Sequence, residues 1–200
     1  LAGKLIVLTF DVATCNLIKT IKSNTMAKWT IDPAHSEVHF KVKHLVISTV
    51  TGSFNKFEGS AEAAADDFKG ASINFSIDAA SIDTNQEQRD GHLKSADFFD
   101  VEKFPKIEFV STDFSQKSGS DYTLKGNLTL KGVTKPVELA VEFGGVAGDP
   151  YGNTKAGFEL TGVINRKEFG LTWGAVTEAG GVVVGDDVKL IISVQLAKQA

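Results

Sequence analysis

The sequence predicts an all-β fold: an eight-stranded antiparallel barrel with a short helix in one long loop. Three observations predict it. From residue 35 onward, apolar and polar residues alternate with a period of two across eight segments. Each segment keeps one polar face, which marks antiparallel strands, because parallel sheets are covered on both sides. No helical segment is long enough to cover a sheet, so the apolar faces must be buried by closure into a barrel or by stacking as a sandwich. Closure is preferred because it removes exposed edges.

The strands follow in chain order. His35–His44 sets Val38, Phe40 and Val42 against Glu37, His39, Lys41 and Lys43. Shorter patterns run through Phe54–Glu62, Ala71–Ala80 and Pro105–Phe114. Asp121–Lys131 aligns Tyr122, Leu124, Leu128 and Leu130, and Pro136–Phe143 aligns Val137, Leu139, Val141 and Phe143. Thr154–Ile164 and Asp187–Ala197 complete the set, the last with Val188, Leu190, Ile192, Val194 and Leu196 on one face. Ser118-Gly119, Lys131-Gly132 and the stretch from Gly148 to Asn153 supply turns. Gly126 and Gly162 fall on inward rows, where they either bend the strands or leave interior space. An eight-stranded barrel is near the size at which its interior is just filled or holds one small ligand, and the pattern does not choose between these.

Composition narrows the function. The 42% hydrophobic and 23% charged fractions are those of an ordinary globular chain, and a net charge of -4 with scattered lysines argues against nucleic-acid binding. Cys15 is the only cysteine, so there is no intrachain disulfide. No run reaches the ~18 apolar residues of a membrane-spanning helix. Residues 1–25 precede the only methionine, Met26, and carry an apolar patch interrupted by Asp11. They are read as lying outside the fold, as a signal remnant or upstream translation, with residues 26–200 forming the barrel. The expected compartment is cytoplasmic if translation starts at Met26 and periplasmic if residues 1–25 belong to an export signal.

Nothing in the sequence points to catalysis. There is no nucleophile elbow, P-loop or dinucleotide fingerprint. His35 and His39 lie about 13 Å apart on a strand, too far to share an ion, so no metal and no cofactor are expected. His44 is the one histidine on an inward row. The remaining anomaly is the non-alternating stretch 86–109, with four phenylalanines among ten charged residues. Thr84-x-x-Glu87 reads as a capping box opening a short helix that carries Arg89, Asp90 and His92. Connections of this length tend to be lids or binding loops. Phe98, Phe99 and Phe104 are then either a plug sealing the barrel or the lip of an apolar tunnel.

Several motifs resemble the YceI-like family across residues 29 to 196. They are Trp29-Thr-Ile-Asp-Pro-Ala-His-Ser, Phe40-x-Val-x-His44, Gly52-x-Phe54-x-x-Phe57-x-Gly59, Arg89-Asp-Gly-His92-Leu, Asp97-Phe-Phe-Asp100, Gly126-x-Leu-Thr-Leu-x-Gly132 and Arg166-x-x-Phe-Gly-Leu171. The resemblance implies an extended, lipocalin-like barrel. It also implies a non-catalytic protein that stores or transports a polyisoprenoid or isoprenoid quinone in a tunnel, and it makes a homodimer plausible. Such a guest is physically reasonable. At roughly 0.8 kcal/mol per methylene removed from water, ten carbons gain about 8 kcal/mol before ordering costs. The candidate tunnel wall is Val38, Phe40, Val42, Phe54, Phe75, Phe98, Phe99, Leu128, Phe158 and Leu160. The candidate head-group residues are His44, Arg89 and His92, with Asp90 orienting Arg89. A barrel enzyme acting on lipid, with His44 as its proton-transfer group, and a packed structural domain are the alternatives.

Overall fold

The computed structural model describes residues 26–174 and 183–199, so the assignment made for residues 1–25 lies outside the described residues. The strands are β1 (Ala27–Ile31), β2 (Glu37–His44), β3 (Ser48–Phe54), β4 (Phe57–Ala63), β5 (Ser72–Asp78), β6 (Ile82–Asp83), β7 (Lys106–Ser118), β8 (Asp121–Leu130), β9 (Val133–Gly148), β10 (Thr154–Asn165) and β11 (Val184–Lys198). A short helix, α1 (Glu87–Lys94), lies between β6 and β7. The barrel order is β1-β4-β5-β7-β8-β9-β10-β11, and β11 returns to pair with β1. All neighbours are antiparallel, and β2, β3 and β6 continue the wall beyond β11. The eight expected strands are present, with β1–β2, β3–β4 and β5–β6 each forming one long strand with a short break.

The break after β1 has a clear cause. Pro33 opens a 3-10 turn over Pro33–His35, capped by the Asp32 carboxylate, which accepts from the Ala34 amide at 3.2 Å. The same carboxylate binds Lys155 Nζ at 2.9 Å, His35 Nδ1 at 3.0 Å and Gln195 Nε2 at 3.3 Å. It thereby ties the break to β10 and β11. The hydrogen bonds from Lys155 and His35 lower its pKa from 3.8 to about 2. A group with a depressed native pKa adds stability above its unfolded pKa and loses it as pH falls toward the native one. This contribution should be complete above pH 3.8 and gone near pH 2. It is on the order of 1 to 2 kcal/mol after allowing for solvent screening. Denaturant titrations at stepped pH should show Asp32→Asn lacking that part of the acid destabilisation; an unaltered profile would mean Asp32 is not the pin.

The two ends of the barrel differ. One carries the β4–β5 connection and the β7–β8 and β9–β10 hairpins. The other carries the β2–β3 turn, the α1 excursion, the β8–β9 turn and the β10–β11 connection. Aromatic rings fill the first end: Phe68 packs on Trp29 at 4.8 Å, Phe158 at 5.0 Å and Phe143 at 5.7 Å between ring centroids, and Phe114 stacks on Tyr122 at 5.0 Å.

Candidate functional site

The inward rows of the strands face a lumen, and the lumen is hollow. A close-packed core leaves few voids larger than a water. Here Phe40, Val42, Ile73, Phe75, Leu160, Leu190, Ile192 and Val194 all point inward yet are only partly buried, because they border empty space. The cavity has a volume of about 230 Å³, several times the roughly 30 Å³ share of one water. Its lining is almost wholly aliphatic and phenyl.

Glycines help keep it open. A Cβ on Gly52 would stand 2.4 Å from the Phe40 ring, one on Gly59 2.7 Å from Phe75, and one on Gly126 2.3 Å from Phe109. Gly162 takes Leu139 in the same way, at 2.3 Å. Each large side chain therefore rests against the backbone of a neighbouring strand and away from the barrel axis. The inward glycines make room for neighbours, and the space they free is realised at the axis.

Phe68 forms the floor. It is 1% exposed and lines the cavity from the β4–β5 connection. Its backbone sits in the left-handed region at φ 56°, unusual for a bulky residue. Surrounding bonds hold it there: Phe68 N–H donates to Ala65 O, Gly70 N–H to Phe114 O at 2.9 Å, and the Tyr122 hydroxyl to Asp67 O at 2.9 Å.

At the opposite end the lumen is bordered by Val42, Leu93, Phe98, Phe99, Leu171 and Val184. Phe98 is held by Trp173 at 5.2 Å and by the edge of His92 at 5.1 Å. Phe98 and Phe99 thus line the lumen, while Phe104 packs on Gly132 and does not. Phe68 closes the other end.

All ten candidate wall residues border the cavity. The four candidate head-group residues do not. His44 is part-buried where β2 ends, paired with Ser48 and Val184 in the sheet. His92 bonds Asp97 through Nε2 at 3.0 Å and stacks edge-on against Trp173. Arg89 donates through Nε and Nη2 to Thr84 Oγ1 and O, each at 2.7 Å. Asp90 accepts from the Thr84 amide at 2.9 Å and from its hydroxyl. The expected orientation of Arg89 by Asp90 is therefore replaced by a shared bond to Thr84. The capping box is corrected too: Gln86 caps α1 by accepting from Arg89 N–H, since Thr84 is already engaged by Asp90.

Sequence reasoning missed Arg166 as a lining residue. It is 5% exposed, and burial lowers its pKa while Asp186 pulls it back up. Its guanidinium donates to Leu171 O and Trp173 O, both at 2.6 Å, to Gly185 O at 2.9 Å and to Val184 O at 3.2 Å. It staples the segment after β10 to the start of β11. His39, the other titratable residue at the lining, turns its ring to Glu37 at 3.0 Å. Among the described residues no cluster of His, Cys, Asp and Glu has the makings of a metal site, and no helix is long and apolar enough to cross a membrane.

A closed antiparallel barrel with an apolar lumen is a lipocalin-like architecture. The YceI-like domain matches residues 29–196, and the chain belongs to that family. It is 40% identical over 173 residues to a UPF0312 protein of Staphylococcus aureus (strain USA300), covering 86% of this chain and 98% of the relative. The crystal structure of the Campylobacter jejuni YCEI protein superposes with a TM-score of 0.68 at 32% identity, over 79% of this chain and 90% of that one. A polyisoprenoid binding domain from Saccharophagus degradans shares the fold, with a TM-score of 0.64 at 14% identity over 86% of this chain and 98% of that one.

Proposed function

We propose that the barrel holds a long-chain isoprenoid amphiphile, a polyprenyl lipid or isoprenoid quinone, in its lumen and stores or carries it without chemistry. The observation that carries this reading is the lumen itself: elongated, apolar, floored by Phe68 and bordered at its far end by part-buried Val42, Phe99 and Val184. A chain-like guest needs no polar partner along its length, only surface to leave water against. The absence of a proton-transfer group aimed inward among the described lining residues supports a carrier over an enzyme. The S. degradans domain of the same fold is described as polyisoprenoid-binding, and that likeness is one of fold. The compartment follows from the start of translation: the cytoplasm from Met26, the periplasm with an upstream signal.

Native mass spectrometry of the purified protein, followed by organic extraction, tests this. A bound prenyl lipid is expected, and its loss is expected in Phe40→Asp, which sets a carboxylate in the wall beside Gly52 at a cost of several kcal/mol. Wild type carrying no extractable lipid and taking up none from prenyl alcohol would overturn the reading.

A further inference from the structure

The turn between β2 and β3 breaks three local rules at once. Leu45 and Val46 both sit at positive φ, 52° and 65°, where Asn or Gly is favoured and a β-branched residue is strained. The tip is apolar and exposed, Val46 by 71% and Ile47 by 87%. Beside it on the outer face, Lys41 lies directly across from Lys189, a like-charge pair that destabilises a sheet. Lys43 follows on the same face, two residues from the tip. Among the described residues none of these three lysines makes an ion pair, whereas Asp186 nearby is taken by Lys167 and Arg166. Val163, 61% exposed, pairs with Lys189 from β10 on the same outer face.

Strain kept at an exposed site implies a use that offsets it. We infer that the β2–β3 tip is a membrane-docking device: Leu45, Val46 and Ile47 insert among the acyl chains of an anionic bilayer while Lys41, Lys43 and Lys189 meet its phosphate head groups. Apolar tips ringed by lysine are what an interfacial anchor requires. The position fits as well. The tip stands at the barrel end opposite Phe68, immediately beyond Val42 and Val184 of the lumen lining, with Leu45 N–H donating to Val183 O at 3.0 Å. Docking there would set the Phe98 end of the lumen, opposite the Phe68 floor, against the membrane in which such a lipid dissolves. The inference rests on the carrier reading and gives it a site of exchange.

Co-sedimentation with phosphatidylcholine vesicles, with and without phosphatidylglycerol, tests it. Wild type should bind the phosphatidylglycerol vesicles and weaken as salt is raised. Val46→Asp/Ile47→Asp should bind roughly tenfold less or worse, and Lys41→Glu/Lys43→Glu should lose the anionic preference. Leu45→Asn/Val46→Gly is the folding control. It gives the turn the residues its backbone favours, so it should melt no lower than wild type, keep its lumen lipid and still lose vesicle binding. Three results would overturn the inference: no binding by wild type, binding by Val46→Asp/Ile47→Asp equal to wild type, or a dimer broken by that variant with no vesicle affinity. Lipid retention without vesicle binding would remove the docking surface and leave the carrier intact. Vesicle binding with an empty lumen would do the reverse.

Discussion

Phe68→Ala is expected to destabilise the protein by about 3 to 5 kcal/mol while lengthening the lumen. The ring contacts Trp29, Phe143 and Phe158 where it floors the lumen. Its removal leaves a void that the neighbouring rings, each held by others, fill only in part. A melting temperature lower by roughly 10 °C should accompany this. The retained lipid should shift toward longer chains, because the floor sets how far a chain can descend. Native mass spectrometry of the variant reads both the occupancy and the length. A stable variant that keeps the wild-type lipid profile would show that Phe68 is not the floor.

Arg166→Met is expected to cost about 3 kcal/mol by another route. Four backbone carbonyls, those of Leu171, Trp173, Val184 and Gly185, take hydrogen bonds from one buried guanidinium. Methionine fills similar volume but supplies no donor, and the buried Leu171 carbonyl and three part-buried ones left without partners carry a desolvation penalty. Trp173 should loosen as well, and with it the hold on Phe98. Hydrogen exchange should rise at Leu171 and at the start of β11, well beyond any change in β7 or β8. Arg166→Lys should rescue little, since one ammonium lacks the planar fork that reaches both sides of the staple. A stability loss within 0.5 kcal/mol of zero would rule out the staple.

How far the sequence discloses this arrangement depends on the kind of residue. The period of two discloses a segment of each of the eight long strands, because burial on one face writes itself into alternate positions, but β1 and most of β3 fall outside the segments it marks. Lys131-Gly132 reads correctly as a turn, both residues at positive φ. Leu45-Val46-Ile47 does not, since its residues are those of a strand, and the β2–β3 hairpin is hidden by the same feature that suggests docking. Eight of the ten wall residues are legible because they lie on strands, while Phe98 and Phe99 stand out only as aromatic rings in a charged, non-alternating stretch. Phe68 is not, for it comes from an irregular connection where burial has no period. Arg166 is similar: its role depends on carbonyls from two segments that only the fold brings together. Arg89, Asp90 and His92 suggest a head-group site by their chemistry and proximity in sequence, but the folded chain turns them to Thr84 and Asp97.

The central claim is that the lumen between Phe68 and Phe98 is a seat for an extended apolar chain. A crystal structure of the protein saturated with a polyprenyl alcohol tests it most directly. The account predicts continuous chain density running from beside Phe98 and Phe99 past Phe40 and Leu128 to the Phe68 ring. Ligand found only on the outer surface, with the inward rows collapsed onto one another, would contradict it.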